Sequence, residues 1–172
     1  MSDVGAPRAA PWRAGVIFDF ARSEIFDHTF QEGMELVEET AAYLDGSGRR
    51  DAKLLSRSAA LAYAAESMRL TTRLMQVASW LLVQRAVREG DMAPELACDQ
   101  GYRLSAEAMK SPGERPVEAL PQPLSKLLDR SERLYERVRH LDRRMYLETD
   151  KGAEPPHPVL TQMDRLRGAF ED

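Results

Sequence analysis

Three histidines and one cysteine are the residues in this sequence best suited to metal ligation or covalent chemistry, and their spacing argues against both. His28, His140 and His157 lie far apart, with no pair at i and i+4 around a glutamate, the pattern that places two zinc ligands on one helical face. Cys98 sits in "ELACDQG", where nothing fixes a histidine beside it to take the thiol proton. A thiol without a base reads as a bystander. No glycine-rich phosphate loop, nucleophile elbow or dinucleotide fingerprint occurs. The sequence therefore predicts no catalytic residue, no metal, no cofactor and a protein that is not an enzyme.

Recognition is the other chemistry available, and it centres on "AESMRLTTRLMQVASWLLVQRA", Ala65 to Ala86. Its apolar half, Leu74 to Val83, is too short for the ~20 residues of a membrane span and already contains Gln76 and Ser79. Glu66, Arg69, Arg73 and Gln76 recur at helical steps of three, four and three. They read either as a solvated face, with a Glu66–Arg69 contact worth about 0.2 to 0.5 kcal/mol, or as a polar stripe giving specificity to a neighbouring apolar contact. Leu74, Val77, Trp80 and Leu81 supply more apolar surface than a helix covered on two sides needs. They are expected to contact a second copy of the chain in a homodimer.

The elements that must position these residues follow from length, pattern and punctuation. The 172 residues suit one domain; 43% are hydrophobic, 30% charged and only 7% aromatic, so a soluble fold with a core of Leu, Ala, Met and Val is expected. A net charge of −4 and a pI near 5.5 give no general attraction to nucleic acid or anionic lipid. A lone cysteine and the absence of an export signal pattern make a cytoplasmic protein the expectation.

Residues 1–22 read as a mostly flexible arm with a short apolar "VIFDF" patch, an end able to pack on the fold. Ser23 is a helix N-cap, with Glu24 and Asp27 in the first turn, and Phe26, Phe30, Met34, Val37, Ala41 and Leu44 repeat on one face of a first helix over 23–44. "DGSGRR" supplies a turn. The stretch 51–89, free of Gly and Pro, predicts a second helix of roughly 57 Å. Its core face traces through Leu54, Ser58, Leu61, Ala65, Met68, Thr72, Met75, Ser79, Leu82 and Ala86, with a second stripe of Leu70, Leu74, Val77 and Leu81. Short helical turns are possible near 95–99 and 104–109, and the proline-rich 110–123 is a linker. Leu124, Leu127, Ser131, Leu134, Val138, Leu141 and Met145 then mark a third helix over 124–148.

The fold class expected is all-α: an antiparallel three-helix bundle over 23–148 with one long central helix. The acidic first helix would dock against neighbours richer in base. Residues 149–172 form a tail, in which "KGAEPPHP" separates a short amphipathic motif from the third helix. Val159, Met163, Leu166 and Phe170 fall near helical spacing there, and Met163, Leu166 and Phe170 are the expected anchors on a partner.

"FQEGMELVEETAAYLDGSGR" followed by "ALAYAAESMRLTTRLMQVASWLLVQRAVREGDM" closely resembles the DUF1465 family of alphaproteobacteria, whose studied member regulates CtrA degradation, over Phe26 to about Met92. The resemblance implies a dimerising three-helix bundle with a mobile C-terminal peptide, acting as a non-enzymatic adaptor for the ClpXP protease. Its implied partners are the ClpX unfoldase primed by a single-domain response regulator, a cyclic-di-GMP-binding adaptor, and cell-cycle transcription factors such as CtrA as cargo. Recruitment to a cell pole through those partners is a further implication. The competing readings are a dimeric helical scaffold or transcription-associated regulator with no protease role, a DNA-associated regulator using the arginine-rich "DRSERLYERVRHLDRR", and an enzyme whose site is assembled from residues too far apart to show in the sequence.

Overall fold

The structure, a computed structural model, describes residues 11–104 and 119–146, and these are helical with no strand among them. Six α-helices follow in order: α1 Pro11–Ala21, α2 Glu24–Asp45, α3 Ser47–Lys53, α4 Arg57–Glu89, α5 Pro94–Ala97 and α6 Gln122–Tyr146, with a 3₁₀ turn at Gln100–Tyr102 before α6. The long helices α2, α4 and α6 pack on one another, and α1 lies against α4, α5 and α6.

Ser23 caps α2 as its position predicts, its Oγ accepting from the Phe26 N–H at 3.2 Å. The same hydroxyl donates to the Phe20 carbonyl at 2.7 Å, which fixes the turn between α1 and α2. Residues 11–21 are the end of the expected arm that packs on the fold, and they do so as a regular helix. Ile17 and Ala21 are fully buried, and the Phe20 ring packs with its centroid 5.7 Å from that of Trp80, tilted, and 5.9 Å from that of Phe26, edge to face. "VIFDF" is a core-forming helix.

The helix expected over 51–89 is two. α3 ends at Lys53, and Ser56, extended at φ −61° and ψ 164°, caps α4 by accepting from the Ala59 N–H at 3.2 Å. A serine hydroxyl thus restarts a helix where neither Gly nor Pro signals the break. α4 closes at Gly90, whose φ of 82° is the left-handed conformation that glycine adopts without strain, and its N–H returns to the Ala86 and Val87 carbonyls.

The core face of α4 corrects the sequence reading in full. Leu54, Ser58, Leu61, Ala65, Met68, Thr72, Met75, Ser79 and Leu82 are exposed and Ala86 half-buried, whereas Leu70, Leu74, Val77, Trp80, Leu81, Gln84 and Val87 are buried. The second stripe is the core. On α2 the traced face is off by about one residue: Phe26 is buried, but Thr29, Gly33, Leu36, Thr40 and Tyr43 complete the buried row. Gly33 lets α4 approach, since a Cβ there would stand 2.7 Å from Leu81 Cδ1. On α6, six of the seven traced residues are buried, and Leu141 packs half-buried at the edge.

Charge complementarity between helices follows the expected signs. Arg137 reaches both carboxylate oxygens of Glu32 at 2.8 and 2.7 Å, Arg130 pairs with Glu39, and Arg88 pairs with Asp27. Each of these exposed pairs adds only about 0 to 1 kcal/mol, so they select the arrangement more than they stabilise it.

Candidate protein-docking surface

Leu61, Met68, Met75 and Leu82 stand at intervals of seven along α4, and each is more than half exposed, at 68%, 72%, 65% and 51%. Alternating with them at steps of three and four are Ser58, which precedes Leu61, and Ala65, Thr72 and Ser79, all exposed. Large flexible side chains alternating with small ones, on one stripe of a helix, form the pattern that accepts a second helix at close range. Leu54, 86% exposed in the turn before α4, extends the row toward the N-terminal end. Monomeric surfaces scatter their apolar residues, so a heptad row of them is a candidate interaction site.

The residues predicted to meet a second copy do not reach this surface. Leu74, Val77, Trp80 and Leu81 are at most 4% exposed, turned into the chain's own core. The physical reason is α1: it covers the third side of α4 and brings Phe20 onto Trp80, so the surplus apolar area is used within the chain. The exposed row is the one that the sequence pattern assigns to the core.

The polar stripe divides. Arg69 donates to Glu66 at 2.8 Å on the surface. Arg73 turns inward between helices, donating to Ser131 Oγ at 2.8 Å and lying 3.5 Å from the Glu132 carboxylate, so it ties α4 to α6. Gln76 lines a cleft of about 460 Å³ beside the exposed row, formed by Thr72, Met75, Ser79, Trp80 and Val83 of α4 and by Gly101, Tyr102 and Arg103 of the following loop.

A buried carboxylate holds that loop in place. Asp142 of α6, 2% exposed, accepts from Trp80 Nε1 at 3.0 Å, from the Leu104 backbone N–H at 3.1 Å and from the Arg103 guanidinium at 3.1 Å. One charge with three donors satisfies the requirement that a buried ion be paired and hydrogen-bonded. It also connects α4, α6 and the loop at one point. Sequence reasoning missed it, because an acid among the arginines of α6 looks like one more surface charge.

The family model for DUF1465, a protein of unknown function, matches residues 17–170. This chain belongs to the DUF1465 family. The crystal structure of RcdA from Caulobacter crescentus CB15 is similar to it, with 70% sequence identity over 76% of this chain and 98% of that one, and a TM-score of 0.64. No curated protein matches the chain.

In this DUF1465 protein Cys98 sits in unreactive surroundings. Burial raises the Cys98 thiol pKa above its ordinary value, Arg13 offsetting this and Glu95 adding to it, and Sγ faces the Pro94 carbonyl at 3.4 Å. A protonated, buried thiol is no nucleophile. His28 and His140 are exposed on α2 and α6; His157 lies outside the described residues, and no group of three potential ligands forms a metal site among those described. No helix among them is long and apolar enough to cross a membrane. Met163, Leu166 and Phe170 also lie outside the described residues.

Proposed function

We propose that the chain is a non-enzymatic adaptor for regulated proteolysis, one that brings cell-cycle transcription regulators of the CtrA type to a ClpXP protease primed by a single-domain response regulator. The observation that carries this reading is the exposed heptad row on α4 of a chain 70% identical to RcdA. An adaptor needs binding surfaces in place of an active site, because its effect is to raise the local concentration of substrate at the protease. On this reading α2, α4 and α6 form the antiparallel three-helix bundle expected of the family, and Leu61, Met68, Met75 and Leu82 seat a second copy in a homodimer. Residues 149–172 then provide the tether to further partners, among them the unfoldase and a cyclic-di-GMP-binding adaptor. The protein acts in the cytoplasm, recruited to a cell pole through those partners.

The DNA-associated alternative is weakened by where the α6 arginines go. Arg130, Arg137 and Arg139 are each paired with a glutamate, the first two across to α2. Neutralised guanidinium groups on an acidic protein give a phosphate backbone little to hold.

Reconstituted degradation tests the proposal. ClpXP, the priming regulator and a CtrA-type substrate are combined with and without the protein; the expected result is faster substrate loss with it. Equal rates in both reactions overturn the adaptor reading. Truncation after Gly152 that leaves the stimulation intact removes the tether role alone.

A further inference from the structure

We propose that the cleft between α2 and the start of α6 docks an acidic helical segment of another protein, one that carries two carboxylates two turns apart. The walls are Glu39 and Tyr43 of α2 and, on α6, residues from Gln122 to Arg133, and they enclose about 460 Å³. Among the described residues none of α4 lines this cleft, so an occupant here leaves the exposed α4 row free. The inference goes beyond the adaptor reading and does not rest on it.

The distribution of unpaired charge is the first argument. Arg88, Arg137 and Arg139 are each held by a carboxylate, and within the cleft Arg130 is held by Glu39. Lys126 and Arg133 are exposed walls of the cleft, and neither has an ion-pair partner among the described residues. The adjoining α3 adds to them. Tyr43 joins the two places, lining the cleft and donating its hydroxyl to Asp51 of α3 at 3.0 Å. Arg50 and Lys53 of α3 and Arg57 at the start of α4 are exposed, again with no ion-pair partner among the described residues. On a chain of net charge −4, free cations gathered at one end of the helices steer an acidic partner to that end.

Spacing is the second argument. Lys126 and Arg133 are seven residues apart, about 10 Å along α6, with Arg130 and its Glu39 partner between them. Positions i and i+7 of a docked helix have the same separation. Side chains on one face of an extended segment repeat at about 6.6 and 13 Å, which match the two cations less well. Pro123 and the edge of Tyr43 give the cleft an apolar part, which takes a large side chain at i+4 of the same helix.

The carboxylates in the walls decide between acidic partners. Glu39 and Asp129 stand among the cations. A nucleic-acid backbone carries a charge at every step and meets both of them. A peptide whose acids face only Lys126 and Arg133 avoids them, so the cleft selects an acidic protein segment.

The test uses the full chain and a fluorescein-labelled helical peptide with Glu at i and i+7 and Leu at i+4, read by anisotropy. The parent should bind it, and more weakly as salt rises from about 50 to 200 mM. Glutamine in place of both glutamates should weaken binding about 10-fold, two charge pairs contributing about threefold each. Lys126→Glu with Arg133→Glu should lose the Glu peptide and gain a peptide with Lys at i and i+7, whereas Arg143→Glu, farther along α6, changes neither. Circular dichroism checks that each variant keeps the parent's helical signal. If the reversal disturbs it, Lys126→Gln with Arg133→Gln takes its place, with binding of the Glu peptide about 10-fold weaker. A parent that does not bind the Glu peptide, or a doubly substituted chain that binds it as the parent does, overturns the inference. So does a DNA duplex that displaces the peptide at a lower concentration than the unlabelled peptide itself, since the cleft then belongs to a phosphate backbone. No protease enters these measurements, so failure of the adaptor reading leaves their outcome unchanged.

Discussion

Replacing Met68 with glutamate should break a homodimer without weakening the fold. Met68 is 72% exposed and lies in the middle of the row formed by Leu61, Met68, Met75 and Leu82. Full burial of such a side chain is worth about 1.5 to 3 kcal/mol, so covering the exposed share is worth roughly 1 to 2 kcal/mol. A twofold interface loses that amount twice, roughly 2 to 4 kcal/mol, which raises the dimer Kd by about 30- to 700-fold before any cost of burying the carboxylate. Within one chain the substitution removes little buried contact, so the change in folding stability should stay within about 0.5 kcal/mol. Sedimentation velocity over about 1 to 100 µM reads the association and thermal unfolding by circular dichroism reads the fold. Leu74→Ala provides the contrast: at 4% exposure it should cost about 2 to 5 kcal/mol of fold stability. A Met68→Glu chain that associates like the parent, or a parent that stays monomeric throughout the range, refutes the assignment of the row to a second copy.

Other substitutions probe the interior. Asp142→Ala removes the acceptor of Trp80, Leu104 and Arg103 together and should lower stability by about 3 to 5 kcal/mol, with faster amide exchange at Leu104 as the local signature. Gly48→Ala places a Cβ 2.7 Å from the Tyr43 carbonyl oxygen and 2.6 Å from the Tyr63 hydroxyl, and should cost about 1 to 3 kcal/mol in chemical denaturation. Burial raises the pKa of Tyr43, Tyr135 and Tyr146, with Asp51 adding at the first and Asp142 at the last. A raised folded value means that the folded chain keeps protons the unfolded chain releases, so stability holds below the ordinary tyrosine value near 10 and falls as pH rises above it. Absorbance at alkaline pH should show these three rings ionising only as the helical signal is lost; ionisation in the intact fold would refute their burial.

Much of the fold was legible because its signals are local. The Ser23 cap, the Gly90 terminus and the single apolar stripe of α6 each depend on a few residues in sequence, and the structure places them as their chemistry requires. The signs of charge on α2 and α6 likewise forecast pairs such as Glu32 with Arg137. Two features depend on distant residues and were not legible. The cover that α1 gives Trp80 is visible only once Phe20 meets it, and the Asp142 hub exists only because the loop returns to α6.

The α4 face shows why periodicity alone misassigns a core. Both rows on this helix repeat at helical spacing, so pattern establishes which residues share a side and leaves open which side the chain itself covers. The distinction lies in what each row contains and what opposes it. Leu70, Leu74, Val77, Trp80 and Leu81 are large at nearly every step, and Gly33 of α2 makes room for one of them, since a Cβ there would stand 2.7 Å from Leu81 Cδ1. The exposed row alternates large Leu or Met with Ser, Ala or Thr, leaving its own holes beside its knobs. A row that carries both is complementary to another helix of the same design, whereas a row of large residues needs small ones from elsewhere in the chain. On α4 the self-complementary row is the one left facing outward.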